Sequence, residues 1–117
     1  MRRAYETVFC RKKIDMQFYS TDVRVEGLEG NKIIEVQVNE KTIALSKKGN
    51  KINAFAATCP HAGARFCEGW LDPLGKVVCP LHKYKFDPGN GYNVTGEGYK
   101  LKTYAVEIKD GVVWVQL

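Results

Sequence analysis

The sequence predicts an all-β domain, a small antiparallel sandwich or barrel with a loop subdomain at one end. Three observations predict it. Apolar and β-branched residues gather in short runs, turn signals separate those runs at regular spacing, and no ten-residue stretch keeps a helical 3.6-residue period. At 117 residues, with 44% hydrophobic and 26% charged side chains, the chain has the size and composition of one soluble globular domain with a single modest core.

The elements follow in order. Residues 1–13 read as an N-terminal arm, and 14–117 as the domain. A run near Ile14 to Tyr19 reads as a first strand. Lys32 to Val38, Thr42 to Ser46 and Ile52 to Ala57 are three strands, with turns near Asn39 and Gly49 between them. A short helical turn is expected around Phe66 to Trp70. Lys76 to Cys79 and Tyr84 to Asp87 are two brief strands. Tyr104 to Ile108 and Val112 to Leu117 form a closing hairpin around Asp110-Gly111, a strong two-residue turn signal. Trp70 and Trp114 are expected to be core aromatics.

Charge and composition exclude several classes. The formal net charge is +5, but the basic residues are spread along the chain and no run suggests a nucleic-acid-binding tail. No apolar run reaches ten residues, so no membrane-spanning helix is expected. The N-terminal MRRAYETVFCRKK lacks the apolar segment of a secretory signal. The expectation is a soluble cytoplasmic monomer. In that compartment four cysteines point to metal or redox chemistry rather than to a disulfide framework.

Both histidines of the chain lie just after a cysteine, in Cys59-Pro60-His61 and Cys79-Pro80-Leu81-His82, with 17 residues between His61 and Cys79. Thiolate and imidazole together select zinc, copper or iron–sulfur. A one-residue gap is tight for two ligands of one tetrahedral ion. It suits ligands that go to two neighbouring metals, so that each loop gives one ligand to each. A mononuclear zinc site holding an interaction module together is the competing reading. Gly63 would let backbone come close to such a centre. Cys67 and Cys10 fall outside this pattern and read as buried structural thiols.

These residues carry a resemblance. Cys59-Pro60-His61-Ala62-Gly63 with Cys79-Pro80-Leu81-His82 resembles the Rieske [2Fe–2S] motif, and Phe86-Asp87 with Gly91 resembles the end of its second loop. The likeness covers about residues 15–117, with cluster-binding loops at about 57–90. It implies a Rieske-type sandwich, a [2Fe–2S] cofactor, and Cys59, His61, Cys79 and His82 as its metal ligands. Rieske proteins of respiratory complexes add a disulfide between the loops; Ala64 and Leu81 stand at the matching positions here. Those proteins also place a serine and a tyrosine where this chain has Tyr84 and Phe86, and their hydroxyls raise the potential. A proline-bearing loop of the family is replaced by Thr95 to Lys102, which has no proline.

The resemblance therefore implies the soluble, low-potential, ferredoxin-like branch, with a potential of roughly −150 mV. It implies an electron carrier, not an enzyme, between a flavin reductase and a terminal oxygenase. The small subunit of an assimilatory nitrite reductase is the alternative within the family. With both histidines spent on the cluster, none is left in this chain for the mononuclear iron of an oxygenase. Arg65, Lys83 and Lys85 are expected to form a basic rim around the histidine edge, suited to an acidic partner.

Overall fold

A computed structural model describes residues 17–28 and 30–117. The arm at 1–13, with Cys10, and the start of the first expected strand lie outside these residues. Ten strands follow in order: β1 (Phe18–Arg24), β2 (Ile33–Val38), β3 (Lys41–Lys48), β4 (Lys51–Ala56), β5 (Trp70–Leu71), β6 (Val77–Val78), β7 (Lys85–Phe86), β8 (Thr103–Tyr104), β9 (Val106–Lys109) and β10 (Val112–Gln116). They form three antiparallel sheets, ordered β1-β10-β9, β2-β3-β4-β8 and β5-β6-β7. The all-β class expected from the sequence is what the chain adopts.

The turns explain the registers. Asn39-Glu40 and Asp110-Gly111 both take positive φ at their two central residues. That geometry matches the right-handed twist of the strands on either side, so two-residue loops close β2–β3 and β9–β10. Gly49, with φ +62°, turns β3 into β4.

The central sheet is buried on both faces, and strand alternation shows why. Along β3, Ile43 and Leu45 point to one side and Ala44 to the other; along β4, Ala54 and Phe55 divide in the same way. One face packs with Val113 and Val115 of β10 into a core against the β1-β10-β9 sheet. The other packs against the β5-β6-β7 unit, where Phe66, Leu71, Val77, Phe86 and Leu101 surround Phe55. The small β5-β6-β7 unit is the loop subdomain, and it stands on this second core.

Three expectations change, and that of the helical turn is met over a shorter span. The strand expected over Tyr104 to Ile108 breaks at Ala105, so β8 joins the central sheet and β9 the outer one. The helical turn is a 3-10 turn at Phe66–Glu68, and Trp70 already belongs to β5. Trp70 is not a core residue: it is 39% exposed, because Leu71 takes the inward position of a two-residue strand and its neighbour must face out. Trp114 lies between the inward Val113 and Val115, half-buried on the outer face, with the Lys109 ammonium 4.4 Å from its ring centroid.

Candidate metal centre

Two short loops build the centre, one after β4 and one between β6 and β7. In the first, the Cys59 N–H donates to Ala64 O at 2.8 Å, and the Gly63 N–H donates to Cys59 O at 2.8 Å. The chain thus folds back on itself, and Gly63 meets the turn with φ +73°. A side chain at Gly63 would touch nothing within 4 Å. Glycine is needed there for its left-handed backbone, and its N–H is taken by Cys59 rather than turned toward a cofactor. The Phe66 N–H donates to Ala57 O and fastens the far end of the loop.

In the second loop the Cys79 N–H donates to Tyr84 O at 2.9 Å. His82 and Lys83 take φ of +69° and +58°, two consecutive left-handed residues without glycine. Such backbone is costly and persists where its surroundings fix it. It reverses the chain so that His82 turns back toward the first loop. Gly91 closes the region: its φ is +82°, and a Cβ there would lie 2.1 Å from Leu101 O.

The four residues singled out from the sequence come together. Cys59 Sγ lies 2.6 Å from His61 Nδ1, and His61 Nε2 lies 3.2 Å from His82 Nδ1. Donor atoms of Cys59, His61 and Cys79 all lie within 4.8 Å of one another. Burial separates the two donor types. Cys59 and Cys79 are 2% and 0% exposed, while His61 is half-buried and His82 exposed. Burial pushes the Cys59 thiol up to about 11; the neighbouring Cys79 thiol adds to this, against backbone N–H groups of His61 and Ala62 that lower it. A thiolate in this pocket therefore needs a cation beside it, which iron held there would provide. The donor set and its placement fit a [2Fe–2S] group with the thiols inside and the imidazoles outside.

Aromatic rings cover the imidazoles. The Tyr84 ring centroid lies 4.2 Å from that of His61. Tyr99 stacks on Tyr84 at 6.1 Å and reaches within 5.8 Å of His61. Phe86 has no part in this; it is fully buried against Phe66.

The basic rim is largely neutralised. Arg65 pairs with Glu35 through two hydrogen bonds and lies 3.9 Å from Glu68. Lys85 reaches Asp72 at 3.0 Å, and Lys76 reaches Asp87 at 3.1 Å. Among the described residues, only Lys83 of the three expected cations has no ion pair. Sequence alone could not show this, because the partners are 13 and 30 positions away. Cys67 is half-buried rather than buried and stands outside the group of donors.

Asp72 is the anchor that sequence reading missed. Its Oδ1 accepts from the N–H groups of Leu74 and Lys76, both at 2.9 Å, and its Oδ2 accepts from Lys85. Burial opposes its charge, yet these three donors outweigh burial and hold the carboxyl below its ordinary range. A carboxyl with a depressed folded pKa stabilises fully above its unfolded value of about 3.9, and that contribution is lost as pH falls through the folded value. Asp72→Asn is expected to destabilise by about 1–3 kcal/mol at pH 7. Urea unfolding at pH 7 and pH 3 checks it: the deficit should shrink at the lower pH, and an equal deficit at both would contradict the role of the charge.

A model of the Rieske [2Fe-2S] domain matches residues 19–105. The ferredoxin component of the naphthalene 1,2-dioxygenase/salicylate 5-hydroxylase systems of Ralstonia sp. is 34% identical over 86 residues, which are 73% of this chain and 82% of that protein. In the solved complex of reduced oxygenase and oxidized ferredoxin in carbazole 1,9a-dioxygenase, one chain superposes with a TM-score of 0.75 at 26% identity, covering 85% of this chain and 92% of that one. A putative NADH-dependent nitrite reductase small subunit from Mycobacterium tuberculosis gives the same TM-score at 19% identity, covering 85% and 94%; this likeness is one of fold. No helix among the described residues is long and apolar enough to cross a membrane. With the match spanning most of its length and both loops in place, the chain belongs to the Rieske [2Fe–2S] domain family.

Proposed function

We propose that this protein is a soluble cytoplasmic electron carrier of an oxygenase system, with Cys59 and Cys79 holding one iron of the cluster and His61 and His82 the other. The observation that carries this reading is the sorting of the donors: two loops bring four of them to one end, thiols buried and imidazoles toward solvent. The relatives named as dioxygenase ferredoxin components support the setting. The protein works as a monomer, takes one electron from a flavin reductase and passes it to a terminal oxygenase, and turns over no substrate itself.

The bound cluster supplies a one-electron redox couple. The residues do the rest. Buried Cys59 and Cys79 keep water from the inner side of the centre. His61, half-buried, and His82, exposed, would hold its outer side where a partner can approach. Tyr84 and Tyr99 pack over His61 and limit the solvent that reaches it.

Purified protein is expected to be brown, with two irons and two labile sulfides per chain. A potential of roughly −150 mV is expected, since Phe86 carries no hydroxyl and the Tyr84 ring lies against His61. It should carry electrons from a reductase to an oxygenase in a reconstituted assay. A colourless protein holding one zinc, or a potential above about +100 mV, would contradict this reading.

A further inference from the structure

The segment that replaces the family's proline-bearing loop carries a carboxylate at the same end of the fold as the histidines. The Val94 N–H and Asn93 Nδ2 both donate to Lys85 O, and the Lys85 N–H donates to Thr95 Oγ1. These bonds clip residues 93–95 onto β7, three positions after His82. Gly96 and Gly98, with φ of +89° and +88°, then turn the chain twice, and no atom crowds either one. Between them stands Glu97. Its Oε1 accepts from the Thr95 hydroxyl and from Asn93 Nδ2. Two residues on, Tyr99 packs against His61 and Tyr84, which ties the segment to the histidine end. The Thr95 hydrogen bond above all, and then that of Asn93, holds the Glu97 carboxyl below its ordinary range. Glu97 has no cationic side chain paired with it among the described residues, whereas Arg65 and Lys85 are already taken by Glu35 and Asp72.

We propose that Glu97 tunes the reduction potential: its carboxylate, fixed by Thr95 and Asn93 near the histidine end, opposes the negative charge that arrives with the electron and keeps the potential low. The inference rests on the ligand assignment above. Reduction adds one electron and so one unit of negative charge to the centre. A fixed anion nearby raises the free energy of the reduced form relative to the oxidised one. Glu97 is exposed, so solvent screens the effect, and a modest size is expected.

Glu97→Gln separates charge from architecture, because the amide oxygen can still accept both hydrogen bonds. The loaded protein is titrated with dithionite in the presence of mediators and followed by visible absorbance. Glu97→Gln should favour reduction by about threefold, and Glu97→Lys by up to about tenfold, or 59 mV for a one-electron couple. Glu107→Gln on β9, in a sheet that carries neither ligand loop, should leave the potential unchanged. An iron-free, colourless parent protein would sink the ligand assignment. An iron-loaded parent whose potential is the same in both Glu97 variants overturns the role of Glu97 alone. A shift of equal size in Glu107→Gln overturns it too, since the effect would then be one of net charge.

Discussion

Cys79→Ala is expected to give a colourless protein without two irons and two labile sulfides, and with a lowered melting temperature. Cys79 is fully buried, and its backbone opens the second loop through the bond to Tyr84. A cluster short of one ligand is labile, and metal-binding energy is partly folding energy, so loss of the cofactor and loss of stability should arrive together. Cys59→Ala, His61→Ala and His82→Ala should behave alike in stoichiometry. Iron and sulfide assays with a thermal melt decide the matter. Full iron and sulfide in any of the four variants would remove that residue from the ligand set.

Phe66→Ala is expected to cost about 3–5 kcal/mol, a large share of the 5–15 kcal/mol or so that holds a domain together. The side chain is fully buried. Its ring meets Phe55 edge-on at 5.8 Å and Phe86 edge-on at 5.9 Å. It therefore joins the central sheet to the β5-β6-β7 unit, at the foot of the first loop. Phe66→Leu keeps most of the volume and should cost about 1.5 kcal/mol or less. Urea unfolding of the loaded protein compares the two. An alanine variant with the parent's midpoint would mean that this contact does not join the subdomain to the sheet.

The strands that could be read from the sequence are those whose chemistry is local. β2, β3 and β4 each carry their own apolar run, with Asn39-Glu40 and Gly49 marking their turns, and Asp110-Gly111 marks the turn from β9 to β10. The candidate centre stood out for a similar reason, since Cys59 with His61 and Cys79 with His82 are close in sequence and share one chemistry. What escaped reading depends on how the chain folds. Trp70 looks like a core residue until Leu71 takes the inward position. Arg65 and Lys85 look like free cations until folding brings Glu35 and Asp72 to them. Glu97 looks like ordinary surface until Asn93 and Thr95 fix it. Each of these is settled by the folded arrangement: an inward-facing neighbour for Trp70, distant carboxylates for Arg65 and Lys85, a tight turn for Glu97.

The first loop closes through hydrogen bonds of Cys59, Gly63 and Phe66 and is tied to β2 by Arg65 and Glu35, while Ala64 packs on the inner core and Leu81 faces outward. Among the described residues the cysteines are free. A covalent sulfur brace has a reduction potential of its own and stands or falls with the thiol balance around it. Hydrogen bonds have none. A glutathione pool poised at about −220 to −260 mV has no bond to cut between these loops. The shape of the site is thereby uncoupled from the thiol balance around it. Its exposure shifts to different hazards: salt, which screens the pair of Arg65 with Glu35, and acid, which removes the Asp72 charge that Lys85 and two backbone N–H groups hold.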